Sequence, residues 1–360
     1  MKSNFALYRL PGETNICHYI ECDDKDLYVF HSYSSIEDID GFVIAPFQVN
    51  STSPITIIKR TDRTKDKILT LQELEDCSEA VVKDDYQNVK DTISSYERAK
   101  YSDIFNLFHK ELEQGTVKKV VLSRQAKITD GDIPSLFSLF KRACSLSKDS
   151  FVSLFSTNKT GAWLTATPEI LLERDHGICH TMALAGTQNI ESLRDWSDSG
   201  KQLVWNKKNI EEQKYVSDYI YNILTDFSDD VKYVSPRTVS AGNVAHIRSD
   251  FFFTPTCSSH VVGKIIAKLH PTPAVCGLPK DQALKLIQDY ESNDRKYYSG
   301  FCGPMSCQDD FHLFVTLRCM NITPCGYVLY AGGGILLDSN DEEEWNETVS
   351  KMQTMARCII

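Results

Sequence analysis

The chain has no run of basic residues. Lys and Arg total 39 against 49 Asp and Glu, a formal charge of −10, which argues against nucleic acid or an anionic membrane as partner. The opening MKSNFALYRLPGETN has no apolar core of the kind a secretion signal needs. No stretch approaches the roughly 18 apolar residues of a membrane span. Twelve cysteines are scattered along the chain, and even the tightest group, Cys302, Cys307, Cys319 and Cys325, misses the paired spacing of a zinc site. Reduced, mostly buried thiols in a cytoplasmic protein are expected. Internal repeats, low-complexity segments and the G-x-G-x-x-G fingerprint of dinucleotide sites are also missing.

What is present is an ordinary globular composition, 42% hydrophobic and 24% charged over 360 residues. Residues 1 to about 95 read as short strands broken by turn signals, followed by a polar stretch from Lys83 to Lys100. Helical spacing of Ile104, Phe105, Leu107, Phe108 and Leu112, stopped by Gly115, predicts a helix over about 98–114. Beyond it the pattern gives a strand at Val117–Ile128, a helix at 134–147, and strands at 150–156, 162–174 and 178–184. A helix over 202–225, a turn-rich stretch to Asn243, and helices at 258–269 and 280–290 follow. Strands at 311–320 and 326–331 and a helix from 341 to the end complete the reading. Sheets with returning helices predict an α+β layered body, effectively one structural domain, rather than a parallel Rossmann sheet.

Several residues stand out against this background. On the helix after residue 202, Glu212 shares a face with Val216, Tyr219 and Ile220, where a carboxylate needs a cation or a metal. On the last helix, Glu344 borders the apolar stripe Trp345, Val349, Met352, Ala356, and Glu347 stands one turn below Lys351. Glu347 and Lys351 read either as a surface pair or, with Glu212 and Glu344, as part of an all-oxygen site suited to Mg²⁺. Alternation along Val117–Arg124 separates Lys119 from Lys118, so one lysine is buried if both sheet faces are covered, and both are solvated at an edge. Glu169 follows Pro168 inside an apolar strand, where an edge or bulge would re-aim it. Ala331-Gly-Gly-Gly-Ile335 reads as a tight turn or as an amide cradle for an anion.

Taken in order, these segments resemble one family. Lys119-Val-Val-Leu-Ser-Arg124, Thr167-Pro-Glu-Ile-Leu171, Leu184-Ala-Gly-Thr187, Gly242-Asn-Val-Ala-His246 and Leu269-His-Pro-Thr-Pro-Ala274 are followed by Tyr298-Ser-Gly300, Leu317-Arg318, Ala331-Gly-Gly-Gly-Ile335 and Glu344-Trp-Asn-Glu-Thr-Val-Ser-Lys351. The series is similar to the chorismate-utilising enzymes: isochorismate, salicylate, anthranilate and aminodeoxychorismate synthases. It covers 115–360 densely. Phe5-Ala-Leu-Tyr-Arg-Leu-Pro-Gly12 and Gly41 to Phe47 extend it, with most likeness to the isochorismate synthases.

The resemblance implies two large antiparallel sheets enclosing the site, with helices outside. It implies Mg²⁺ held by Glu212 and Glu344, with Glu347 binding directly or through water, and chorismate as substrate. Gly186, Thr187, Gly332 and Gly334, with Tyr298, Arg318 and Lys351, match positions holding the substrate's carboxylates. His246 matches a histidine near the ring hydroxyl, and Ala274 is a further substrate position where salicylate synthases tend to place threonine. Lys119 matches a general base that activates water at C2, and Glu169 a general acid for the departing C4 hydroxyl. Ammonia-delivering members have a non-lysine at position 119, so no glutamine amidotransferase subunit is expected. Aminodeoxychorismate synthases carry a lysine where Ala185 stands. Three positions depart from the pattern: Gln188 replaces an arginine, Gln213 a histidine and Asn209 an acidic residue, the last two expected to weaken the metal's outer shell. A salicylate synthase, or a non-catalytic chorismate-binding subunit, would share much of this pattern. Menaquinone and siderophore synthesis both start from isochorismate.

Overall fold

The period-two alternation of the strands here works on both faces. Along Asn4–Arg9, Phe5 and Leu7 pack into a core shared with helices, whereas Ala6 and Tyr8 pack into a second core between two sheets. Along Gly41–Ala45, Val43 and Ala45 face helices while Phe42 and Ile44 face the same inter-sheet core. Strands covered on both faces read as continuous apolar runs, and both are buried throughout.

The computed structural model describes residues 4–36, 39–74, 86–129, 134–189, 203–241, 244–256, 261–291, 293–306 and 310–359. Its strands form two nine-stranded antiparallel sheets. The first runs, edge to edge, Gly277–Leu278, Lys119–Thr129, Gly326–Ile335, Cys319–Thr323, Gly161–Thr167, Phe151–Thr157, Asn4–Arg9, Ile16–Cys22 and Lys65–Thr70. The second runs Val231–Ala241, Val244–Phe253, Ile178–Asn189, Ile170–Asp175, Phe311–Val315, Phe301–Met305, Gly41–Ala45, Ile55–Lys59 and Leu27–Phe30. The strands before residue 71 supply three to each sheet. Helices Arg98–Glu113, Leu136–Leu146, Lys280–Tyr290 and Asp341–Ala356 share the first sheet's outer core, and Lys207–Leu224 and Val262–Leu269 the second's. The α+β expectation of two large antiparallel sheets with helices outside is what the structure shows.

Several local expectations need correction. The supposed strand 162–174 is two strands, Gly161–Thr167 in the first sheet and Ile170–Asp175 in the second, because Pro168 offers no N–H and the chain changes sheets there. The supposed strand 311–320 likewise splits into Phe311–Val315 and Cys319–Thr323. The two crossings hold each other: the amide of Val315 donates to the Glu169 carbonyl at 2.9 Å, and that of Ala166 to the Arg318 carbonyl at 3.1 Å. The turn-rich stretch before Asn243 contains an edge strand, Val231–Ala241, whose Pro236 sits at a register shift where no ladder donor is required. The polar stretch before residue 98 contains a helix, Tyr86–Ser95, and the last helix stops at Ala356. The glycine run is no turn. It continues the strand Gly326–Ile335, with Gly332 opposite Ser123 and Gly334 opposite Val121.

Between the sheets, Phe151 of the first stacks on Phe314 of the second, with centroids 4.2 Å apart and planes 6° from parallel. Phe151→Ala should lower the unfolding free energy by about 3–5 kcal/mol, the usual cost of an aromatic cavity. Urea denaturation would check this; a loss under about 1 kcal/mol would mean that the contact does not join the sheets.

Candidate active site

Both sheet crossings open onto one cavity, with about 670 Å³ of open space. Glu169 and Pro168 reach it from one crossing, Leu317 and Arg318 from the other. Gly186, Thr187 and Glu212 line it, as do His246 and Ala274. Tyr298, Gly332, Gly334 and Lys351 complete the set of predicted residues on its wall. Lys119, Glu344 and Glu347 do not line it: Lys119 packs beneath Gly334, and Glu344 and Glu347 line a second cavity, where Glu347 pairs with Lys351 of the first. Gly242 and Asn243 of the histidine's motif fall outside the described residues.

The glycine strand explains how Lys119 gets there. Lys118 is exposed, while Lys119 is 0% exposed, since the sheet is covered on both faces. A Cβ on Gly334 would fall on Glu212 Oε1 and come within 2.8 Å of Lys119 Cε; one on Gly333 would come within 2.7 Å of Glu344 Oε2. The missing side chains therefore make room for a lysine and two carboxylates. Lys119 Nζ lies 3.0 Å from Glu212 Oε1, a close ion pair whose direction misses hydrogen-bond geometry, and it has no hydrogen-bond partner among the described residues. The second Glu212 oxygen accepts from the Gly186 amide at 3.2 Å.

Each of the three predicted ligand carboxylates is matched by a lysine. Glu212 faces Lys119. Glu347 accepts from Lys351 at 2.5 Å, and Lys351 also donates to the Gly332 carbonyl at 2.9 Å. Glu344, 1% exposed, takes a hydrogen bond from Lys208 and another from Ser339 Oγ at 2.8 Å. Burial, and then the neighbouring Glu347 charge, push the Glu344 carboxyl up. Burial also works against charge on Glu347, yet the Lys351 ammonium holds it below the usual carboxylate range. Lys208 and Ser339 were not singled out from the sequence. The available signal was the spacing of Lys208, four residues before Glu212 on the same helix face.

These residues suit a hard divalent cation. All donors are oxygens, and Glu344 Oε2 is buried with no hydrogen-bond partner among the described residues. The three carboxylates are nevertheless not gathered around one point. Among the described residues, the only group whose ligand atoms all lie within 4.8 Å of one another is the exposed Asp175, His176 and Asp310.

Other residues of the same cavity carry a different chemistry. Glu169 is buried, and desolvation pushes its carboxyl up to about 7 against the opposing pull of Lys119, Lys351 and Arg318. Desolvation, then Arg318 and Lys351, push His246 down to about 3, so its imidazole is neutral. Its Nδ1 lies 3.1 Å from the Gly186 carbonyl and must donate there, which leaves Nε2 to accept from Arg318 Nη2 at 3.2 Å. Arg318 itself, at φ 46 in the left-handed region, keeps Nη1 buried without a hydrogen-bond partner among the described residues. A left-handed non-glycine residue costs about 1–2 kcal/mol, and here it aims a guanidinium into the cavity. Glu169 can thus deliver a proton and Arg318 bind an anion, while the carboxylates can hold a cation beside a buried amine.

Comparison with known proteins gives the family and the fold. The chorismate binding enzyme family matches residues 41–360. The vibriobactin-specific isochorismate synthase of Vibrio cholerae serotype O1 is 25% identical over 71% of this chain and 64% of its own length. The isochorismate synthase MenF of Escherichia coli K12 is 27% identical over 70% of this chain and 58% of its own. The chain thus spans less than two-thirds of either relative's length. A crystal structure described as a 2,3-dihydroxybenzoate-specific isochorismate synthase, DhbC, from Bacillus anthracis superposes with a TM-score of 0.80 at 20% identity, covering 99% of this chain and 96% of that one.

The Glu169 carboxyl yields a stability test. Its folded-state value, about 7, lies above the ordinary 4.5, so the folded protein holds an extra proton between those values. The stability this proton confers is complete below about pH 4.5 and is lost as pH rises through about 7. Glu169→Gln should therefore gain on the wild type from pH 4.5 to 7, by as much as about 3 kcal/mol, and run parallel above that. Urea unfolding across pH 4.5–8 would show it; a pH-independent difference contradicts the shifted carboxyl.

Proposed function

Because the chain belongs to the chorismate binding enzyme family, we propose that it converts chorismate to isochorismate, adding water at C2 as the C4 hydroxyl leaves. The observation that carries this reading is a cavity whose wall holds a buried, proton-holding carboxyl, Glu169, with the buried Lys119 packed behind Glu212 and Gly334 of that same wall. Lys119, an ammonium while it pairs with Glu212, sheds that proton before it takes one from the attacking water. Glu169, whose carboxyl stays protonated up to about pH 7, donates to the departing hydroxyl.

Arg318 and Lys351, with the backbone of Gly186, Thr187, Gly332 and Gly334, supply the positive field that holds a dianion in a protein of net charge −10. Neutral His246 has both ring nitrogens engaged, by Gly186 and Arg318, so it brings no charge to the ring hydroxyls and bonds one only by releasing Arg318. Glu212, Glu344 and Glu347 would hold Mg²⁺, which when bound neutralises the substrate's ring carboxylate. A lysine at position 119 favours water over ammonia, so the reaction needs no amidotransferase subunit. Ala185 leaves no amine next to Gly186 for covalent capture of the ring.

Incubation with chorismate and Mg²⁺ should yield isochorismate, and EDTA should abolish turnover. Lys119→Ala and Glu169→Ala should each lower kcat by about 10²–10⁴-fold. Accumulation of fluorescent salicylate would instead identify a synthase that goes on to eliminate pyruvate, and binding without turnover would identify a non-catalytic subunit. Because Glu169 acts as the acid, the pH profile of kcat/KM should bend near pH 7, and Glu169→Gln should remove that bend; a bend that persists in the variant would remove Glu169 from that role.

A further inference from the structure

The three lysines that match the carboxylates are not equivalent. Lys119 is wholly buried on its strand, and Lys351 is anchored twice, to Glu347 and to the Gly332 carbonyl. Lys208 has one hydrogen-bonded partner among the described residues, Glu344. Burial disfavours its charge, yet Glu344, and after it Glu212 and Glu347, hold its ammonium more firmly than usual, so one cation serves all three carboxylates. Beside Lys208 lies a second cavity of about 840 Å³, lined also by Asn206, Asn209, Glu344 and Glu347 and touching the first at Thr187. The remaining Glu344 oxygen is buried and unpartnered.

We propose that Lys208 is a built-in counter-ion for this cluster, occupying it when no metal is bound, and that a divalent cation binds by displacing its ammonium into the second cavity. The inference rests on the metal reading given above. Three carboxylates against three ammonium groups are balanced. Adding a dication with Lys208 still in place would leave two uncompensated positive charges in a largely desolvated site. A flexible four-carbon stem next to open space lets Lys208 withdraw, which the anchored Lys351 and buried Lys119 cannot do.

The test is calorimetric titration of the substrate-free full-length chain with MgCl₂, together with thermal unfolding in EDTA and in Mg²⁺. Lys208→Met should melt lower than wild type in EDTA, show a larger rise in melting temperature with Mg²⁺, and bind Mg²⁺ at least about tenfold more tightly. Lys207→Met, which removes an exposed neighbour paired with Glu211, should behave as wild type. Equal or weaker Mg²⁺ affinity in Lys208→Met overturns the proposal. If that variant cannot be prepared metal-free, Lys208→Gln is read against the same expectations. A wild type that takes up Mg²⁺ while Lys208→Met gains nothing removes only this inference. A wild type that takes up no Mg²⁺ in the titration and shows no Mg²⁺-dependent turnover removes the metal reading with it.

Discussion

Charge buried between two sheets is the constraint on which the rest of the arrangement depends. An ionised group deep in a protein needs a partner or loses its charge, and both outcomes occur here. Glu212, Glu344 and Glu347 each face a lysine. Glu169, with cations near but none bonded to it in the structure, is instead pushed towards its neutral form. Two kinds of carboxyl group therefore coexist around one cavity, and their division of labour follows from who their neighbours are. An acidic protein can present an anion-binding site because its local lysines and Arg318 are fixed there, whatever the overall balance.

The fold supplies those neighbours through two devices. The first is the pair of crossings where the chain leaves one sheet for the other. Pro168 and the left-handed Arg318 sit at these points, and backbone hydrogen bonds tie the two crossings together. A side chain at a crossing belongs to neither ladder and points between the sheets, which is how Glu169 and Arg318 reach the same space. The second device is the glycine strand. Gly333 and Gly334 leave gaps that Glu344, Glu212 and the stem of Lys119 fill, so a strand without side chains brings a helix on each flank and the neighbouring strand into contact.

Much of this could be read in the sequence. Helical spacing located Arg98–Glu113 and Asp341–Ala356 to within a residue at most boundaries, because a half-buried helix advertises its apolar stripe. Glu212 and Glu344 stood out as carboxylates on or beside apolar helix faces, and Glu344 is buried; alternation left Lys118 and Lys119 undecided, and the structure buries Lys119. What failed was connectivity. Runs such as 162–174 and 311–320 keep their apolar character while changing sheets, and periodicity does not record which sheet a strand joins. Pro168 was the local mark of one crossing; Thr316 and Leu317 gave none for the other. Val231–Ala241 was missed because, as an exposed edge strand, it has no buried face to create a pattern. Lys208 was missed because a lysine on a polar helix turn looks solvated until a carboxylate from a distant helix arrives beside it.

The same charge balance bears on the places where the chain departs from its family's pattern. Gln213, where a histidine is usual, is buried, and its amide nitrogen reaches the Ala183 carbonyl at 3.2 Å and the hydroxyls of Ser217 and Ser249 at 3.2 and 3.0 Å. It tethers the helix to two strands of the second sheet and adds no titratable group beside Glu212. Asn209, where an acidic residue is usual, packs against Gly186, whose Cβ would meet it at 3.1 Å. An acidic side chain there would add a fourth negative charge next to Lys208 and Glu212, in a cluster already matched three against three. Gln188, in place of an arginine, donates to the Val204 carbonyl at the surface and brings no extra positive charge to the rim. Each departure is neutral, and each preserves the match between carboxylates and lysines that lets this site stay folded around its own charges.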